Sequence, residues 1–229
     1  MQGSRRLNEY RTVRQEGEFA FTERKSRFIG RCYPVHTEAE TDEILTCLRK
    51  KYWDATHNCY AFRLGSLGGV ARSSDDGEPS GTAGMPILNV LMRGEITDAL
   101  IVVTRYFGGV LLGAGGLVRA YGRAAASAVQ SAGIIRMREC RELTCEIPYP
   151  HWGALERLLR EAAVELTVDY GANVLMCAFV PAAEAEALSD RIVDRTEGRV
   201  HPALGGVKYL PVDETDAPGL LEEDSNENS

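Results

Sequence analysis

The sequence predicts an α+β chain built as two domains. Three observations carry this. A continuously apolar strand runs into a glycine-rich turn and then an alanine-rich helix within the first 136 residues. The residues after that follow a second pattern, β-α-β-β-α-β with short connections, the ferredoxin-like split unit. The charge balance also changes sign at the same place. Residues 1–136 carry 18 bases against 14 acids, whereas residues 137–212 carry 8 against 12.

Residues 1–17 are polar and charged and read as an N-terminal extension. Alternation begins at Phe19 and Phe21 and leads into Arg27–Cys32, one or two strands. Thr37 or Thr41 caps a helix through about Tyr52, with Ile44, Leu45 and Leu48 on one face. Cys59–Leu64 is a run of strand formers ending at Gly65. Gly65–Gly84 is dense in Gly, Ser and Asp and reads as loop. Pro86 suits the first turn of a short helix, Pro86–Met92, where its missing N–H is not needed. Ala99–Val103 is apolar at every position, as a strand covered on both faces requires. A helix from about Leu117 to Ser131 follows the glycine turn, and Gly133 fits its stop.

A basic link, Arg136–Arg138, opens the second domain. Leu143–Ile147 is a strand and His151–Ala162 a helix with Leu155, Leu158 and Leu159 on one face. Val164–Tyr170 and Val174–Val180 form a hairpin around Gly171-Ala172-Asn173. Ala182–Thr196 is a helix and Gly198–Leu210 holds the last strand. Residues 213–229 contain seven acids, no base and no apolar periodicity, the composition of a disordered tail. The expected organisation is thus 1–17, 18–136, 137–212 and 213–229.

Composition excludes several classes. No window approaches the run of about 20 apolar residues that a membrane helix needs, and the first residues lack the apolar stretch of a secretory signal. The expected compartment is the cytoplasm. Six cysteines without a Cys-x-x-Cys spacing read as reduced, mostly buried thiols rather than a disulfide framework. The four histidines show no zinc-ligand spacing, so neither a metal nor a cofactor is expected. The net charge of −7 resides in the acidic tail, so an anionic partner would meet the mildly basic first domain.

The sharpest chemical feature is the turn after the apolar strand, with Gly108, Gly109, Gly113, Gly115 and Gly116. Glycines let backbone approach a ligand closely. A helix start offers unpaired N–H groups and the positive end of the dipole. Arg105 enters the turn, and Arg119, expected in the helix's first turn, and Arg123 follow, so the segment is a candidate anion site. No Gly-Lys-Ser/Thr follows, and the dinucleotide pattern begun at Gly113 meets Val118 where its third glycine belongs. A tight strand–helix junction explains the glycines equally well. Secondary candidates are Asp75, Asp76, Glu78 and Thr82, whose carboxylates would suit Mg²⁺ or a shared proton, and His57, two residues before Cys59 and so on the same strand face. A plain Asp-Gly-Pro surface turn and a hydrogen-bonded strand histidine are the simpler readings.

Ala55–Cys59, Ser74–Gly84 and Arg105–Gly113 together resemble the signature blocks of the YigZ/IMPACT family, in order, over about residues 18–210. The resemblance implies a first domain with the α/β sandwich of certain ribosomal proteins and GHKMP small-molecule kinases. It implies a ferredoxin-like second domain similar to the fifth domain of elongation factor G. Eukaryotic members are translation regulators with an additional N-terminal partner-binding domain. Only about 17 residues precede the first expected strand here, so that interaction is not carried over. Bacterial members have no agreed activity, and the resemblance brings no catalytic residues. Two functions follow as expectations. One is a translation-linked binding protein contacting RNA, the ribosome or a small phosphorylated ligand through the glycine turn. The alternative is an enzyme acting on a nucleotide or phosphometabolite, with Mg²⁺ at the carboxylates.

Overall fold

The structure, a computed structural model, describes residues 9–212; the acidic stretch 213–229 and residues 1–8 of the expected extension lie outside them. The described chain forms two compact units, Tyr10–Arg136 and Met137–Val212, with Glu9 belonging to the second.

The first unit contains β1 (Glu9–Val13), β2 (Gly17–Glu23), β3 (Ser26–Pro34), α1 (Glu38–Lys51), β4 (His57–Leu64), β5 (Val70–Ser74), α2 (Gly84–Arg93), β6 (Ala99–Tyr106) and α3 (Ala114–Ala132). Strands β2-β3-β6-β4-β5 make one antiparallel sheet in that order. β6 lies at its centre and is covered on both faces, as its unbroken apolar run requires. Ala99, Ile101 and Val103 join the core under α2 and α3. Leu100 and Val102 join the smaller core containing Leu45 and Leu48 of α1.

Thr37 is the cap of α1. Its hydroxyl accepts from Glu40 N at 3.2 Å, and the Glu40 carboxylate accepts from His36 N at 2.7 Å, a variant of the reciprocal capping box displaced by one residue. Thr41 lies one turn further on, buried, with its hydroxyl returned to Thr37 O.

Four local expectations are corrected. The expected extension contains β1, which pairs with β7 (Ile134–Ile147); its Glu-Tyr-Arg-Thr sequence concealed it because only Thr12 and Val13 are buried. The Gly65–Gly84 loop contains β5, an edge strand with three exposed residues. The basic link Arg136–Arg138 is part of β7. Helix α3 starts at Ala114 rather than Leu117, because Gly113 takes φ +73° as its cap and Gly115 and Gly116 are helical. Arg119 therefore stands in the second turn, not the first.

The second unit continues β7 and adds α4 (Tyr149–Ala162), β8 (Glu165–Tyr170), β9 (Val174–Pro181), α5 (Ala185–Arg195) and β10 (Ala203–Val212). Its strands lie in the order β10-β7-β9-β8, the ferredoxin-like arrangement. One face is packed by Leu155 and Leu159 of α4 and Leu188 and Ile192 of α5.

Close approach of α3 to the first sheet depends on two glycines. A Cβ on Gly30 would stand 2.4 Å from Ala124 O, and one on Gly17 would stand 2.3 Å from Ala132 N. These contacts are backbone and cannot rotate away. Gly30→Ala is expected to destabilise the protein by about 1–3 kcal/mol, the usual effect of overpacking, read as a lower urea midpoint with unchanged m-value.

Candidate functional site

The three segments singled out in the sequence converge on one buried carboxylate. Glu78, 3% exposed at its side chain, receives Arg105 Nη1 on Oε1 at 2.5 Å and the Tyr121 hydroxyl at 2.7 Å. His57 Nε2 is 3.8 Å from the same oxygen. Strand β4, the loop after β5, strand β6 and helix α3 thus meet at Glu78. Arg105 also donates to Ser26 Oγ at 3.3 Å and lies between the rings of Phe28 and Phe107. Its Nε is buried without a hydrogen-bond partner.

This geometry withdraws Arg105 from the candidates for anion contact. Its guanidinium is buried and neutralised, so its charge positions the turn rather than meeting a ligand. Glu78, Asp75, Asp76 and Thr82 are likewise occupied within the protein. Asp75 accepts from the N–H groups of Gly81, Ala83 and Gly84 at 2.8–2.9 Å. Burial alone would raise its pKa, but these three bonds outweigh it and hold the carboxyl below its ordinary value. Asp76 accepts from Asn58 N at 2.6 Å, and Thr82 Oγ1 donates to Pro79 O at 2.7 Å. Among the described residues no three His, Cys, Asp or Glu side chains converge as metal ligands. The loop is therefore a rigid backbone clamp, and the carboxylate–Mg²⁺ alternative gains nothing from its geometry.

His57 and Cys59 do share the face of β4 that looks toward α3. His57 Nδ1 bonds Asp76 O at 2.8 Å. Cys59 donates to Asp75 O at 2.9 Å and lies 3.4 Å from the Tyr121 hydroxyl. Burial pushes the Cys59 thiol up to about 12 and, with the neighbouring Cys59 and Glu78, raises Tyr121 as well. Both remain protonated at neutral pH, so neither supplies a ready nucleophile.

What faces solvent is different. The glycine turn is fastened by three hydrogen bonds: Phe107 N to Thr56 Oγ1, Thr56 N to Arg105 O, and Gly108 N to Ser26 Oγ, at 2.9–3.2 Å. Gly108 is a packing glycine, since a Cβ there would stand 2.0 Å from Lys25 O. Gly109 and Gly113 take φ +81° and +73°, which only glycine adopts freely. Beyond them Leu117 N closes the first helical bond onto Gly113 O at 3.0 Å. The amides of Ala114, Gly115 and Gly116, with no partner among the described residues, open α3 at an exposed surface.

Cations frame this opening. Arg119 reaches back, with Nη1 3.8 Å from where a Gly115 Cβ would stand. One turn later Arg123 stacks on Phe21 at 4.5 Å. On the other side is the tip of the β2–β3 hairpin. Arg24 Nη1 lies 3.5 Å from Leu111 O and Lys25 packs against Gly108, whereas Arg27, opposite Tyr106, alternates with Phe28 and so lies on the other face of the sheet. Arg24 and Lys25 escaped the sequence reading. The charge run Glu23–Arg27 between two alternating apolar stretches was the available signal, and recognising it as a hairpin tip would have placed them.

The remaining cysteines are free thiols, with Cys32, Cys140 and Cys145 buried, Cys177 half-buried and Cys47 exposed. No helix among the described residues is long and apolar enough to cross a membrane.

Residues 24–129 match the family model described as the Impact N-terminal domain, and residues 145–199 match a domain of unknown function, DUF1949. The chain is 38% identical over 205 residues to "IMPACT family member YvyE" of Bacillus subtilis (strain 168), covering 89% of this chain and 94% of that one. It is 34% identical over 178 residues to "IMPACT family member YigZ" of Escherichia coli (strain K12), covering 76% and 87%. "Protein IMPACT homolog" of Dictyostelium discoideum is 42% identical over 96 residues, 40% of this chain and 27% of that protein. A solved structure described as "Crystal structure of an hypothetical protein" aligns with a TM-score of 0.55 at 29% identity, over 90% of this chain and 98% of that one.

Glu78→Gln is expected to cost about 3–5 kcal/mol in urea unfolding, because it strands a buried guanidinium. Combining Glu78→Leu with Arg105→Met is expected to cost clearly less than the sum of the two single changes. Strict additivity would show that the pair is not coupled.

Proposed function

This chain belongs to the IMPACT family, and from that premise we propose that its first unit is a translation-linked binding module that grips the phosphates of RNA, on the ribosome or free. The observation that carries the reading is the open start of α3, with the unpartnered amides of Ala114, Gly115 and Gly116 near Arg24, Lys25, Arg119 and Arg123. Unpaired N–H groups, the helix dipole and four guanidinium or ammonium charges all favour the same kind of ligand.

The hairpin tip gives a second line of support. Arg24 and Lys25 both take positive φ, 44° and 65°, the backbone of a two-residue type I′ turn. Such turns favour Asn-Gly because other side chains strain there, by roughly 1–3 kcal/mol per residue. Two long cations held at this position indicate that the charge is worth more to the protein than the turn's comfort. Exposed Phe107, 45% accessible, adds a ring on which a base would stack. The withdrawn carboxylates and protonated Cys59 and Tyr121 favour binding over catalysis.

Titrating a short single-stranded RNA at two salt concentrations is expected to show affinity falling steeply with salt. Four phosphate contacts would give a log–log slope of about −3. Arg119→Ala with Arg24→Ala should lower that slope by about 1.4, the share of two contacts. No association at low salt, or an unchanged slope in the double variant, would refute the reading. Replacing Arg24-Lys25 by Asn-Gly is expected to raise stability by about 1 kcal/mol while weakening RNA binding; a variant that gains stability and binds as before would contradict a functional role for the tip.

A further inference from the structure

We infer that the open face of the second unit's sheet binds a cationic amphipathic helix of another protein. The inference concerns Met137–Val212 alone and does not rest on the phosphate-binding reading above.

Helices α4 and α5 pack on the face that carries Leu143, Cys145, Ile147, Val174, Met176 and Ala178. Side chains alternate along a strand, so the residues between these point the other way. The pairing register sets them in three rows across β7, β9 and β8. Glu146, Leu175 and Asp169 form one row, Thr144, Cys177 and Thr167 the next, and Glu142, Phe179 and Glu165 the last. The result is a grid with an apolar column down the middle and a carboxylate–threonine–carboxylate column on each side. Leu175 is 54% accessible. Cys177 belongs to the apolar column: burial, and then its hydrogen bond to Glu142, raise its thiol above the ordinary value, so it stays protonated. At the Leu175 end, His201 and Ala203 close one side of a concavity of about 460 Å³.

The charge on this face is one-sided. Lys208 pairs with Glu165 at 2.9 Å and lies over the Phe179 ring, so that end of the grid is filled from within the unit. Glu146 receives the neutral amide of Asn173 at 2.8 Å. Among the described residues no cation lies within ion-pair distance of Glu142, Glu146 or Asp169. Three uncompensated carboxylates repel phosphate, so the face does not suit a nucleic acid. Exposed apolar side chains inside a border of one sign suit a protein surface of the opposite sign.

The dimensions select a helix. Three neighbouring strands span about 10 Å, close to the diameter of one α-helix. An extended segment laid flat here would press backbone N–H and C=O groups against Leu175 and Cys177 without partners. A helix keeps those bonds inside itself. Its apolar stripe would cover Leu175 and Cys177, and lysines or arginines on its two flanks would reach Glu142 and Glu146 on one side and Asp169 on the other.

The probe is a fluorescein-labelled helix of about 15 residues, with leucines along one face and lysines on both flanks, titrated into the full chain by fluorescence anisotropy. Binding is expected to weaken with salt. It is expected to fall about tenfold or more in Glu146→Lys/Asp169→Lys and about threefold or more in Leu175→Ser. Asp190→Lys/Asp194→Lys makes the same change of net charge at exposed positions of α5 and is expected to bind the probe as the native chain does. A probe that fails to bind, or that binds the α5 and sheet variants alike, overturns the inference. So does equal binding of a second probe whose lysines are replaced by glutamates. Self-association of the native chain that Glu146→Lys/Asp169→Lys abolishes would give the face to a second copy and overturn its assignment to another protein. Single-stranded RNA whose binding is lost in Leu175→Ser would give it to nucleic acid and overturn it likewise.

Discussion

One buried carboxylate organises the first unit. Glu78 comes from a loop, yet it is the point at which two strands and the long helix are joined, through Arg105, Tyr121 and His57. A buried charge must be neutralised and hydrogen-bonded or it is costly. Satisfying Glu78 therefore fixes where β6 ends, and with it the path of the glycine turn. Ser26 extends the network outward, since it contacts both Arg105 and the amide of Gly108. The hairpin tip, the turn and the helix start are held in one arrangement by a chain of bonds that begins in the interior.

This separates two kinds of charged residue that a sequence cannot distinguish. Arg105 and Arg119 flank the same glycines, but the first serves structure from inside and the second faces solvent. The same holds for the acids. Asp75 resembles a metal ligand by composition, but its oxygens are filled by the amides of Gly81, Ala83 and Gly84, which closes the loop over Glu78. Such a clamp holds the loop that carries Glu78 in place without a ligand.

The fold was legible to the extent that burial leaves a period in the sequence. β6 announced itself because both faces are covered, and the second unit did so because its helices and strands alternate cleanly. β1 and β5 were missed where strands form with mostly exposed or polar residues, held by backbone pairing that leaves no side-chain pattern. The start of α3 was misplaced because glycine ordinarily marks the outside of a helix, whereas Gly115 and Gly116 lie inside it, Gly116 so close to Leu112 that a Cβ would meet it at 3.0 Å. The candidate site was legible as a segment but not as a surface. Gly113, Gly115, Arg119 and Arg123 were named as candidates from local spacing. Arg24 and Lys25 arrive from about 90 residues away at the tip of a hairpin whose second strand pairs with β6, a relation that no single segment encodes.

The most direct measurement is a titration of the isotopically labelled full chain with inorganic phosphate, followed at individual backbone amides. Saturable shifts of the Ala114, Gly115 and Gly116 amides, lost when Arg119 is replaced by alanine, are the expected result. Shifts confined to exposed lysines and arginines elsewhere, or no saturation at these three amides, would contradict an anion site at the start of α3.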